Sequence, residues 1–308
     1  MASGSSKLSI YAALAGNFLV AATKFAAALF TGSASMLSEG VHSLVDTANE
    51  LLLLYGYRRA GKAPDGSHPL GYGRELYFWS FVVALQLFAL GAAVSAYKGV
   101  LHVLEPTPIQ NPAANYLVLA LSFLFEAASW LIAVRQFRRT ANGRSFWQAI
   151  VQSKDPPSFI VVVEDTAALL GICVAALGNF GATELDLPYA DGGASMVIGL
   201  ILGVTALVLA RETKGLLIGE RAGAEITEAI RTISERRRKV EKTGRIMTVH
   251  LAPDQIVVAL DIAFADDLST TAIETEVEAL EAEIRRRHPA VVALFIKPVA
   301  SRIGDKVA

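Results

Sequence analysis

The chain has 308 residues, 53 % of them hydrophobic and 19 % charged, with a mean hydropathy of +0.43; so large an apolar excess reads as a membrane protein rather than a soluble one. A net charge of −1 excludes a general affinity for nucleic acid. The single cysteine, Cys173, excludes an intrachain disulfide and a thiolate zinc cluster.

Residues 1–7 lack the charged segment and small-residue cleavage site of a signal peptide, so the first apolar run is expected to be retained. Six apolar runs follow, at 8–30, 36–57, 76–101, 114–134, 158–182 and 190–209. Each holds about 20 residues or more, enough to cross a hydrocarbon core of roughly 30 Å. From Glu220 onward the chain is as charged as an ordinary soluble domain. The expected organisation is a six-helix transmembrane domain over residues 1–212 and a soluble domain over 213–308. The connections alternate in charge. Arg58, Arg59, Lys62 and Arg74 lie between runs two and three, Arg135, Arg138, Arg139, Arg144 and Lys154 between four and five, and Arg211, Lys214 and Arg221 after six. The other connections carry no Lys or Arg, so the positive-inside rule places both termini in the cytoplasm.

Polar residues inside these runs are the candidates for function, because an ionisable group at the bilayer centre costs about 2.5–3.5 kcal/mol. Run one holds Asn17 and Lys24, run two holds His42, Asp46 and Asn49, run four holds Ser122 and Glu126, and run five holds Glu164 and Asp165. Asn17, Ser122 and Asn49 suit interhelical hydrogen bonds. Lys24 suits a structural counter-charge, with Glu126 either its partner or a transport residue. His42 and Asp46 are four apart, hence about 40° apart on one helix face. Asp155-Pro156 marks the start of the fifth helix, since Asp caps and Pro fits the first turn. Asp165 then lies about 14 Å along the axis, while His42 and Asp46 enter from the opposite side to about 10–16 Å. Imidazole and carboxylates meeting at one depth hold a borderline divalent cation such as zinc.

The C-terminal segment reads as helix, two strands, helix, strand. Ile226, Ile230 and Ile233 share one helical face, and Ile273, Val277, Leu280 and Ile284 another. Thr271 and Glu274 fit a capping box for the second helix. Residues 245–251 and 256–264 flank an Ala-Pro-Asp-Gln turn and form a hairpin, and residues 291–297 supply the last strand. His250 and His288 read as surface residues.

Taken together, these residues resemble the cation diffusion facilitators, in particular bacterial relatives of the mitochondrial zinc exporter branch. The segment from Gly32 to Asp46 matches the family's second-span motif, His68-Pro-Leu-Gly-Tyr72-Gly-Arg74-Glu75 its loop into span three, and Glu164-Asp165-Thr-Ala-Ala-Leu-Leu-Gly171 the fifth span of that branch. The resemblance implies a six-helix membrane domain followed by a ferredoxin-like α+β cytoplasmic domain that dimerises. It also implies a tetrahedral site with two ligands from each of spans two and five. Here the place of the fourth ligand is Val161, which cannot bind metal. Glu164 from the next turn, a water, or Asn49 from span two would complete the shell, and more oxygen would move the preference from zinc toward manganese or iron. A weak peripheral site in the loop would use Asp65 and His68, with Tyr72 in the third position. The tail lacks the family's ligands near the last strand, where Phe295-Ile-Lys297-Pro-Val stands, so it reads as a dimerisation module. Arg74 and Glu212 occupy the places of a charged contact between protomers.

The implied protein is not an enzyme. It is a homodimeric antiporter in the bacterial inner (plasma) membrane, exporting Zn²⁺ from the cytosol against protons, with Mn²⁺, Fe²⁺, Cd²⁺ or Co²⁺ as other cargoes. Metal binding needs neutral imidazole and ionised carboxylates, so it releases protons. Alternatives are an exporter of Mn²⁺ or Fe²⁺ on the same fold, and a membrane metal sensor or scaffold that does not transport. An intramembrane metallo-hydrolase is disfavoured, because no His-Glu-x-x-His motif and no nucleophile accompany the ligands.

Overall fold

A computed structural model of the chain describes residues 4–300 except 110, 141, 142 and 144, with residues 4–16 and 140 described by their backbone alone. Residues 1–3 of the N-terminal stretch and Arg144 therefore lie outside the described residues. The chain divides into two compact units, Met1–Arg58 with Phe78–Lys214, and Arg59–Tyr77 with Gly215–Ala308.

The first unit is helical. Its elements are α1 (Gly4–Thr31), α2 (Ala34–Ala60), α3 (Glu75–Gln86), a π-helical segment (Leu87–Ala92), α4 (Ala93–Leu104), α5 (Pro112–Thr140), α6 (Phe146–Gln152), α7 (Pro156–Glu184) and α8 (Ala190–Ile218). All six apolar runs fall in helices. Among the described residues, four stretches, Glu75–Leu104, Pro112–Arg139, Pro156–Glu184 and Ala190–Ile218, are long and apolar enough to cross a membrane. The 27 residues of α2 match them in length but carry Glu39, His42, Asp46 and Glu50. In α1 the segment Asn17–Thr31 is a shorter apolar helix.

Helix ends differ in places from the expectation. The third span continues helical to Leu104, past its apolar run. The short α6 had no periodic signal; it starts where the Ser145 hydroxyl accepts from the Gln148 N–H. Asp155 does precede α7 with Pro156 in the first turn, but its carboxylate makes no cap bond to the backbone. It accepts from the Ser158 hydroxyl and, at 3.0 Å, from that of Tyr57, tying α7 to α2.

Small residues let α4 and α8 touch backbone to backbone. A Cβ on Gly99 would stand 2.7 Å from the Met196 nitrogen, and one on Gly199 would stand 2.7 Å from that of Ala96. Close approach through small residues replaces the hydrophobic drive that lipid does not supply between helices. It fixes the third span against the sixth.

The second unit contains α9 (Ala224–Glu235), β1 (Val240–Ala252), β2 (Gln255–Phe264), α10 (Thr270–Arg287) and β3 (Val291–Pro298), the order read from the sequence. The sheet runs β1-β2-β3, with β1 antiparallel and β3 parallel to β2; the parallel pair needs a crossover, and α10 provides it. Ile230, Ile233, Leu280 and Ile284 are buried against Val258, Leu260, Ile262 and Val291, with Ile226, Ile273 and Val277 packed at the edge. Two local expectations are corrected. The cap of α10 is Ser269, whose extended backbone lets its hydroxyl accept from the Ala272 N–H at 3.3 Å, while Thr271 lies inside the helix. His250 is only 5 % exposed, with Nδ1 3.1 Å from the Ala252 carbonyl oxygen, and is no surface residue.

Candidate metal centre

His42 and Asp46 lie on one face of α2, as their spacing requires. Nδ1 of His42 is 3.2 Å from Oδ1 of Asp46, without the alignment of a hydrogen bond. The imidazole is fully buried, and neither of its ring nitrogens has a hydrogen-bond partner among the described residues. Asp46 opens onto a cavity lined by Asn17, Val20, Ser43, Glu50, Leu53, Glu126, Ser129, Val161, Glu164 and Asp165. The cavity brings together side chains of α1, α2, α5 and α7. Asp165 enters from α7, and its Oδ2 accepts from the Ser129 hydroxyl of α5 at 3.1 Å.

Asn49 and Glu164 face each other directly. The Asn49 amide donates to Glu164 Oε1 at 2.7 Å, a buried bond between α2 and α7. It leaves Asn49 Oδ1 without a hydrogen-bond partner among the described residues. Val161 lines the cavity where the resemblance places a fourth ligand, and its side chain has no donor atom. Among the described residues no three His, Cys, Asp or Glu side chains converge on one ion-sized point. Of the candidate ligands, Asp46, Glu164 and Asp165 border one cavity, with His42 beside Asp46 and Asn49 bonded to Glu164, and no closed shell forms among the described residues.

Lys24 is fully buried and paired. It donates to Glu39 Oε2 at 3.1 Å and to the Ser43 hydroxyl at 2.8 Å, and Glu126 stands 4.0 Å away. Its counter-charge role thus falls chiefly on Glu39, a residue that the motif around His42 concealed. Glu126 also lines the cavity, so it borders both the buried cation and the candidate centre. Ser122 is buried on α5. Asn17 donates to Glu50 Oε1 at 2.7 Å, the interhelical bond expected of it.

Asp65 and His68 come close, with Nδ1 3.6 Å from Oδ1, but the carboxylate is already occupied. It accepts from the Tyr72 hydroxyl at 2.7 Å, from the N–H groups of Ser67 and His68, and from Lys62 at 3.4 Å. The Tyr72 hydroxyl above all, then the His68 N–H, holds its carboxyl well below the usual carboxylate range. The His68 ring packs on that of Tyr72 at 4.1 Å, and the Lys62 ammonium lies 4.4 Å from the same ring. This is a loop stapled by a carboxylate and a cation. Arg74 stands just before α3, and Glu212 lies on α8.

A further buried carboxylate escaped the sequence reading. Asp191, fully buried at the start of α8, receives the Ser33 and Ser35 hydroxyls and the N–H groups of Ala34 and Ser35. His102 Nε2 lies 3.7 Å from its Oδ2. A carboxylate at free helix N–H groups satisfies donors that have no partner inside the helix and complements the helix dipole. Asp191 therefore fixes the N-terminus of α2, the helix that carries His42 and Asp46.

Residues 10–218 match the family profile described as the cation efflux transmembrane domain. The mitochondrial proton-coupled zinc antiporter SLC30A9 of Homo sapiens is 31 % identical over 308 aligned positions, covering 87 % of this chain and 54 % of that protein. Metal tolerance protein C4 of Arabidopsis thaliana is 34 % identical over 216 positions, covering 70 % of this chain and 47 % of its own length. The manganese efflux system protein MneP of Bacillus subtilis is 21 % identical over 234 positions, covering 76 % of each chain. The chain spans about half the length of the first two.

Proposed function

The chain belongs to the cation efflux family, the cation diffusion facilitators, and on that premise we propose that it exchanges a divalent metal ion for protons across a membrane. Zn²⁺ is the first cargo in this reading, exported from the cytosol of a bacterial cell through the plasma membrane, with both chain termini cytoplasmic. The observation that carries it is the fully buried imidazole of His42. Both its nitrogens are unpartnered, and it stands 3.2 Å from a carboxylate that opens on an acidic cavity. A buried polar group without a partner is costly, and a divalent cation would supply the partner. His42, Asp46 and Asp165 are the cargo ligands in this reading, with Glu164 drawn in from its bond to Asn49, or Asn49 itself, as the fourth. Binding requires the imidazole neutral and the carboxylates ionised, so metal and protons compete for the same atoms. That competition couples the two fluxes without any covalent step. Relatives named as an antiporter and as an efflux protein support transport over hydrolysis. Metal flux into sealed proteoliposomes tests it, since a sensor or scaffold would bind metal and move none.

The identity of the cargo rests on Val161. An apolar side chain in the fourth position leaves a site richer in oxygen than in nitrogen, which admits Mn²⁺ as a second reading, and one relative is a manganese efflux protein. Val161→His is expected to restore a second imidazole and to tighten Zn²⁺ binding relative to Mn²⁺ by about 10-fold or more. Competition binding with the two metals on purified protein reads this directly. An unchanged ranking would mean that another group already completes the shell.

The assembly in this reading is a homodimer, with Arg74 of one protomer paired to Glu212 of its partner. A screened pair of this kind contributes only about 0–1 kcal/mol, so its effect is on register. Arg74→Glu should lower transport more than it lowers dimerisation, and adding Glu212→Arg should restore part of the flux. Equal loss of dimer and transport, with no rescue by the double exchange, would remove the pair from the interface.

A further inference from the structure

Glu50 has been given no part in the cargo site, yet it lines the same cavity as Asp46, Glu164 and Asp165. His42, Asp46 and Glu50 follow one another at intervals of four along α2, each about one turn further on the same face. Because helical side chains lean toward the N-terminus, Glu50 leans toward Asp46 rather than away from it. A carboxylate at this depth ordinarily demands a cation. The buried Lys24 is engaged by Glu39 and Ser43, and the hydrogen bond that Glu50 receives comes from the neutral amide of Asn17, at 2.7 Å. That bond fixes one oxygen, and no ion pair to Glu50 is formed among the described residues.

Acidic side chains around a cavity do not alone make a binding site. The independent sign of a ligand is on the adjoining turn, where fully buried His42 has both nitrogens unpartnered and Asp46 Oδ1 is likewise unpartnered. Imidazole nitrogen adjoins the cavity at that end, through Asp46. Toward Glu50 the donors on α2 are carboxylate oxygens, and Val161 adds none from α7. Oxygen-only surroundings favour harder cations, whereas imidazole favours zinc.

Resting on the cargo site proposed above, we propose that Glu50, oriented by Asn17, is a specificity-determining residue that forms with Asp46 an oxygen-only end of the cargo cavity and so admits Mn²⁺ beside Zn²⁺. The test is equilibrium binding of MnCl₂ and of ZnCl₂ to the full chain in detergent, repeated as uptake into proteoliposomes. Glu50→Gln keeps the shape and the acceptor for Asn17 but removes the charge. It should weaken Mn²⁺ binding at least 10-fold and Zn²⁺ binding less than 3-fold. Glu50→Asp keeps the charge and should fall between Glu50→Gln and the parent for Mn²⁺. If Glu50→Gln changes neither metal, Glu50 only holds α1 to α2 and the proposal is overturned. Equal losses for both metals, or a Glu50→Asp protein as poor in Mn²⁺ as Glu50→Gln, overturn it too. A parent protein that binds neither metal would instead refute the cargo site itself, so the two failures are distinguishable.

Discussion

Asp46→Ala and Asp165→Ala are each expected to abolish metal flux while leaving a folded protein. Both carboxylates reach the cavity from opposite helices, Asp46 beside the unpartnered imidazole and Asp165 held by Ser129. Removing a residue that merely supports a metal ligand lowers affinity about 10–100-fold, so loss of a charged ligand itself is expected to exceed about 100-fold. Stability moves the other way or hardly at all. An uncompensated carboxylate at this depth is a cost to the fold, and alanine relieves it. The pair of outcomes separates a ligand from a structural residue. Zn²⁺ uptake by proteoliposomes should vanish while the thermal unfolding temperature in detergent stays at or above that of the parent. Uptake at the parent rate by either variant would place the cargo elsewhere.

Asp191→Ala is expected to show the opposite signature, a large loss of stability with transport lost as a consequence. Its carboxylate accepts from the Ser33 and Ser35 hydroxyls and two backbone N–H groups, all in buried surroundings. Breaking such a buried charged network by removing one side leaves several donors unsatisfied and costs about 3–5 kcal/mol. For a unit of about 200 residues each 1 kcal/mol moves the melting temperature by about 2–4 °C, so a drop on the order of 10 °C is expected. Asp191→Asn, which keeps the shape and part of the accepting capacity, should lose less. Thermal unfolding of the three proteins in one detergent checks the order, and an Asp191→Ala protein within about 2 °C of the parent would show that α2 holds its start by other means. The functional link is geometric. The first turn of α2 lies eight residues before His42, about 12 Å along the axis, so a frayed start displaces the helix that presents the imidazole.

How much of this was legible depends on the kind of signal. His42, Asp46 and Asp165 stand out because they are ionisable groups inside apolar runs, and helical spacing alone puts the first two on one face. The strands and helices of the C-terminal unit are equally open to reading, since their apolar periods of two and of three to four are complete. Glu50 escaped all the same. It stands seven residues before the end of its run, among Asn49 and Leu51–Leu54, and the His42–Asp46 pair drew the reading away from it, although its spacing of four from Asp46 was available as a clue. Asp191 escaped for a different reason. Its partners at residues 33–35 are more than 150 positions away in the chain, and no local pattern records a bond of that separation. The π-helical turn at Leu87–Ala92 and the burial of His250 likewise arise from packing rather than from period. Glu164 was rightly marked as polar in an apolar run, but only the structure shows its oxygen held by Asn49.

The coupling of metal to protons is the centre of the account, and one measurement addresses it. Purified protein in sealed proteoliposomes is given external Zn²⁺, with the lumen either more acidic than the medium or at equal pH. If metal and protons compete for His42, Asp46 and Asp165, an acidic lumen displaces metal inward while protons leave, so Zn²⁺ uptake accelerates and internal pH rises with it. Collapsing the gradient with a proton/potassium exchanger should return uptake to the equal-pH rate. Zn²⁺ uptake that ignores the gradient and moves no protons would contradict exchange, even if the metal itself crosses.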